Sequence, residues 1–62
     1  MKVELRVVTH VPYNNKFLSI GTVLEVIEEV DIYYVCKNDE VASILIQKAH
    51  CEVIDDEENQ DI

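Results

Sequence analysis

Four side chains could do chemistry: Cys36, Cys51, His10 and His50. These are zinc-ligand types, but structural zinc sites take their ligands as closely spaced pairs. The chain has no Cys-x-x-Cys and no His-x-x-x-His, and His50 and Cys51 are adjacent on what reads as a turn. Free cysteine is among the most buried residue types, so core packing is the plainer reading. A Cys–His nucleophile would need an exposed thiolate beside a base and an oxyanion donor. Neither cysteine has a glycine-rich or electropositive context. No metal, no cofactor and no catalysis are expected on these grounds.

The elements that would position such groups are few. Sixty-two residues allow one domain and a small core, marginally stable by burial alone. There is room for one binding face and little for a catalytic pocket. The net charge of −8 is unevenly spread: Asp55, Asp56, Glu57, Glu58 and Asp61 stand together without a base. Residues 1–54 set eight acids against Lys2, Arg6, Lys16, Lys37 and Lys48, a net of −3. Phosphate-backbone binders need clustered Lys and Arg, so direct nucleic-acid binding is not expected. A cationic partner is allowed. Two cysteines do not make a disulfide framework. The first residues alternate rather than forming an apolar leader, and no run approaches the roughly 20 apolar residues of a membrane helix. These features set the expectation of a soluble chain in a reducing, cytoplasmic setting, without membrane contact.

Met1 to Thr9 alternates, with Val3, Leu5 and Val7 against Lys2, Glu4 and Arg6, the mark of a half-buried strand. Val8 breaks the polar face. His10 to Ser19 reads as a loop with Pro12, Asn14 and Asn15 as turn residues and Lys16 at the tip. Its Tyr13, Phe17 and Leu18 are too apolar for free solvation, so it should fold back on the body. Gly21, the only glycine, precedes the next strand and fits a turn with φ > 0. Thr22 to Glu29 sets Thr22, Leu24 and Val26 against Val23, Glu25 and Ile27. Its β-branched residues favour a bent strand over a helix. Asp31 opens a turn into Ile32–Lys37, with Ile32, Tyr34 and Cys36 on one face and Tyr33, Val35 and Lys37 on the other. Residues 37–40 read as a hairpin turn. Residues 41–47 read as a strand with Ala42, Ile44 and Ile46 inward and Val41, Ser43, Leu45 and Gln47 outward. Lys48–His50 suits one 3₁₀ turn, and Cys51–Ile54 a last short strand. From Asp55 on, the composition is that of a flexible acidic tail.

Three stretches in this order resemble an SH3 domain. Gly21-Thr22-Val23-Leu24-Glu25-Val26 is similar to that family's Gly-Asp-x-Leu-x-Val entry into its second strand. Asp31 with Tyr33-Tyr34 resembles the acidic turn and paired aromatics that open its third. Residues 45–54, Leu-Ile-Gln-Lys-Ala-His-Cys-Glu-Val-Ile, resemble the Leu-Phe-Pro-Ser-Asn-Tyr-Val-Glu-Leu-Ile run around its 3₁₀ turn. The resemblance covers about half of the chain and extends to the small SH3-like proteins of Gram-positive bacteria and their phages. It implies an all-β, five-stranded SH3-like barrel over residues 1–54, with residues 55–62 as the tail. It also puts both cysteines at apolar positions. The family's groove grips polyproline helices with aromatics and a proline. Here Tyr33 stands at the first groove aromatic, Gln47 at the proline and His50 at the groove tyrosine, and the 10–19 loop lacks an acidic cluster.

A protein-binding patch of Tyr13, Tyr33 and His50, with Leu45 beside it, is therefore the expected site. Tyrosine favours recognition surfaces because an apolar body carries a polar tip. The plain alternative is that Tyr34 is core and the others cover it. Glu25, Glu28, Glu29 and Asp31, with the tail, could imitate nucleic-acid phosphates and inhibit a DNA-binding protein, although charge runs usually only solvate a face. Apolar side chains left outward, namely Val8, Val23, Val41 and Leu45, also open a homo-oligomeric structural role through an exposed edge. The expected partner is a protein bound by a stand-alone, non-catalytic module.

Overall fold

A computed structural model describes residues 1–55 and shows an all-β chain. Its strands are β1 (Lys2–Leu5), β2 (Thr9–Val11), β3 (Lys16–Leu18), β4 (Val23–Val30), β5 (Tyr33–Lys37), β6 (Ile44–Gln47) and β7 (Cys51–Asp55). One 3₁₀ turn, Lys48–His50, links β6 to β7. Five strands form an antiparallel sheet in the order β6-β5-β4-β1-β7, and β2 and β3 form a separate hairpin. The sheet is not closed by hydrogen bonding: β6 and β7 are its two edges. No helix among the described residues is long and apolar enough to cross a membrane.

The core follows the period of two. Val3 and Leu5 of β1, Leu24 of β4, Cys36 of β5 and Ile44 and Ile46 of β6 turn to one face and are buried. Val26, Tyr34 and Cys51 pack against them. The β2–β3 hairpin supplies Val11 and Leu18 to the same core. Fully burying an aliphatic side chain of this size contributes about 1.5–3 kcal/mol, so these few residues carry the fold.

Turn chemistry explains the connections. Thr22 N–H donates to the Ser19 carbonyl at 3.1 Å. Gly21 has φ +94° in that turn, as its third residue must in a type II geometry. A Cβ there would meet only Glu4 Oε2 at 3.8 Å, so backbone conformation rather than space calls for glycine. Gly21 N–H and Leu5 N–H bond the Leu5 and Thr22 carbonyls, which ties the turn to β1. Asn15 takes φ 57° in the β2–β3 turn, and Asn14 Oδ1 accepts from Lys16 N–H at 3.0 Å. Asp31 takes φ 56° in the two-residue turn between Val30 and Tyr33. Asn and Asp are the residues that tolerate this region besides glycine.

Several expected placements differ. β1 ends at Leu5 because the chain bends at Arg6 and Val7, which leaves Val7 36 % exposed instead of inward. The expected 10–19 loop contains the β2–β3 hairpin. It does fold back, but through Val11 and Leu18, while Tyr13 and Phe17 face solvent. Lys16 is the first residue of β3 rather than the tip. β6 starts at Ile44, not Val41. Asn38 Oδ1 accepts from the Glu40 and Val41 N–H groups, holding residues 38–43 as a loop. That loop tucks Val41 into the core at 3 % exposure and turns Ala42 outward, the reverse of the expected faces. Ile32 is exposed in its turn rather than sharing the Tyr34 and Cys36 face. Asp55 ends β7, and residues 56–62, the rest of the expected tail, lie outside the described residues.

Candidate protein-binding surface

The outer face of the sheet is set by one irregularity. The β4–β5 register shifts between Val26 and Glu28, which leaves Ile27 as an extra residue on β4. A bulge of this kind bends a strand and changes the phase of everything after it. Before it, Leu24 and Val26 face the core. After it, Glu29 lies opposite Tyr34 on the core side, and Glu28 and Val30 move to the outer side opposite Val35 and Tyr33. Across β5, Tyr33 and Val35 lie opposite Gln47 and Leu45. Two cross-strand rows result on the outer face: Val30–Tyr33–Gln47 and Glu28–Val35–Leu45. Leu45 is 59 % exposed, Val30 is exposed, and Tyr33, Val35 and Gln47 are half-buried.

Tyr33 and Leu45 thus share one surface as diagonal neighbours. Tyr13 does not join them. It stands on the β2–β3 turn, 58 % exposed, and its hydroxyl accepts the Ala42 N–H at 2.9 Å. Ala42 lies before the start of β6 and Gln47, which faces Tyr33, ends it, so the Tyr13 hydroxyl and Tyr33 stand toward opposite ends of that strand. His50 is half-buried in the 3₁₀ turn, and its carbonyl accepts the Arg6 N–H at 2.9 Å. No hydrogen bond or ring contact among the described residues links its imidazole to either tyrosine. Tyr34 packs on the core, with Lys48 Nζ 5.3 Å from its ring centroid. Two residues enter the surface that sequence reasoning did not single out. Val35 was readable from its alternation with Tyr33. Val30 was not, because strict alternation from Leu24 would turn it inward.

The four acids do not gather on one face. Glu25 stands on the outer side between Lys2 and Lys37, its cross-strand neighbours. Glu28 borders Val35. Glu29 is on the other side and pairs with Lys48. Asp31 occupies the turn. Opposite charges directly across strands stabilise a sheet modestly and neutralise each other at a distance. The outer face therefore grades from apolar at the β4–β5 turn to mixed charge at Lys2, Glu25 and Lys37.

The chemical candidates are packed away or apart. Burial, and secondarily the nearby Cys51 thiol, push the Cys36 thiol up to about 11. Burial also raises that of Cys51, whose Sγ lies 3.7 Å from the Gln47 carbonyl. Both are protonated thiols near neutral pH, and a nucleophile or metal ligand needs the thiolate. The His10 ring lies 4.8 Å from that of Phe17 at a tilt of 44°, and its Nε2 bonds Asn15 Oδ1 at 3.1 Å, on the outer side of the hairpin. No three His, Cys, Asp or Glu side chains of the described residues stand close enough to hold a metal ion.

No protein-family model, curated protein or solved structure matches the chain.

Proposed function

We propose that the chain is a stand-alone, non-catalytic protein-interaction module built on an SH3-like barrel. The strand order, the 3₁₀ turn joining β6 to β7, and the β2–β3 hairpin at the position of that family's long first loop all support the barrel reading. Closure would then come from packing of Val11, Leu18 and Val41 rather than from a complete ladder. The observation that carries the function is the outer patch of Val30, Tyr33, Val35 and Leu45, spread over two adjacent cross-strand rows, with Val30 and Leu45 open to solvent and Tyr33 and Val35 half-buried between them. Aromatic and aliphatic side chains on a rigid sheet, with a tyrosine hydroxyl and the Gln47 amide at the rim, suit the anchor-and-rim pattern of protein interfaces. The raised, packed thiols count against a thiolate nucleophile at either cysteine.

The test is affinity capture from cell lysate with the full chain, with residues 56–62 removed, and with Tyr33→Ala and Leu45→Ala. A partner kept without the tail and lost with both substitutions supports the reading. A basic, nucleic-acid-binding partner that disappears with the tail overturns it in favour of charge mimicry.

A further inference from the structure

Edge strand β6 carries backbone groups that the fold does not use. Lys48 N–H donates to the Ile32 carbonyl at 2.8 Å. Bonded and non-bonded pairs alternate along an antiparallel ladder. Tyr34–Ile46 and Cys36–Ile44 are therefore the bonded pairs, and Tyr33–Gln47 and Val35–Leu45 the non-bonded ones. The N–H and C=O groups of Leu45 consequently point off the sheet, whereas the Gln47 carbonyl is taken up by the 3₁₀ turn and the Cys51 thiol. Among the described residues no strand pairs with that side of β6.

Proteins usually protect such an edge with charge, proline or a bulge. The other edge, β7, has Glu52 on it, tied to Arg6, and an irregular register against β1. Ile44–Gln47 has no charge and no proline, and its register with β5 is regular. In a chain of net charge −8, a second copy is repelled over most of the surface. Electrostatics favours approach at the neutral strip.

We propose that β6 pairs antiparallel with β6 of a second copy about a two-fold axis through Leu45. The sequence is self-complementary in this register. Leu45 meets Leu45 of the second copy on the outer face, and Ile44 meets Ile46 of the second copy on the inner one. The outward N–H of Leu45 donates to the Leu45 carbonyl of the second copy, and the second copy's N–H donates back. A shift that put Ile46 on the axis would set Lys48 opposite Ile44 and lose this match. The pairing is isologous and therefore closes at two copies. It joins the two Val35–Leu45 rows into one continuous outer surface. The inference goes beyond the reading above, in that the occupant of the edge is the chain itself rather than a foreign protein.

The contact is small, so association is weak and is sought up to about 1 mM protein. Sedimentation equilibrium of the purified full chain is expected to show a monomer–dimer equilibrium. Leu45→Lys places like charges on the axis, and at an exposed position it leaves the fold intact. It should weaken dimerisation by more than about 10-fold. Amide exchange gives an independent readout: the Leu45 N–H should gain protection as concentration rises, while Ile46 N–H, already bonded to β5, should not change. A chain that stays monomeric with a concentration-independent Leu45 amide overturns the inference. So does a dimer indifferent to Leu45→Lys. Neither result touches lysate capture through Tyr33, and loss of that capture leaves the dimer standing, so the two failures are separable.

Discussion

The two halves of β4 behave as different objects. From Val23 to Val26 the strand pairs with β1 at Val23–Glu25 and with β5 at Glu25 and Val26, and Leu24 is buried. From Glu28 to Val30 only β5 runs beside it, and every residue is exposed. Composition does not separate them, since both halves are rich in valine and glutamate. The difference is the extra residue at Ile27 and the end of β1, whose Met1 carbonyl accepts the last bond, from Val26 N–H at 2.8 Å. One half is scaffold, and the other is an arm that offers Val30 and the β4–β5 turn to solvent. A strand can thus be buried scaffold and exposed arm in series, with a bulge as the boundary.

The largest expected effect lies in the scaffold half. Leu24→Ala should lose about 2–5 kcal/mol, against a total of only about 3–9 kcal/mol for a chain of this length. Urea unfolding should show a midpoint far below that of the native chain, or a variant already unfolded without urea. A loss below about 1 kcal/mol would break the distinction between halves.

A pH effect follows from Cys36, which faces the same half of β4 opposite Val26. The folded thiol titrates at about 11 rather than its ordinary 9.0. Above 9.0 the unfolded chain loses this proton while the folded chain keeps it, so the unfolded state is favoured. Stability should fall as pH rises from 9.0 to about 11 and level off beyond. The measurement is the difference between the native chain and Cys36→Ala across that window. A flat difference would mean that the thiol is not held in a desolvated core.

Smaller effects are expected on the arm. Asp31→Val forces a β-branched residue into φ 56° and should cost about 1–2 kcal/mol, measurable by urea unfolding, with Asp31→Gly as the unstrained control. Glu29→Ala breaks the exposed pair with Lys48 and should change stability by about 0–1 kcal/mol, less in high salt. Val30→Ala should fall within about 0.5 kcal/mol in unfolding. If it weakens partner capture all the same, the arm is recognition surface and not scaffold.

Much of the inward pattern was legible because it depends on local alternation. Val3, Leu5, Leu24, Cys36, Ile44 and Ile46 obey the period of two wherever a strand is regular. The turn residues Asn15, Gly21 and Asp31 were legible for a similar reason: each is of a type that tolerates positive φ, and each takes it. The candidate site was only half readable. Tyr33 and Leu45 share a face because β5 and β6 pair without a break. Tyr13 was grouped with them by analogy, and its position depends on where the β2–β3 hairpin docks.

What the amino-acid sequence determined by itself is therefore the all-β class, the main inward residues and the turns, each set within a few residues by side-chain size and backbone preference. Only the tertiary structure decided that Val41 enters the core, that Val7 leaves it, that the acids divide between two faces, and that Val30 joins Tyr33 and Leu45. Those outcomes rest on a capping Asn38, a bend after Leu5 and one unpaired residue at Ile27. The bulge has no local signal, because it is a mismatch in length between two strands and exists only once they pair.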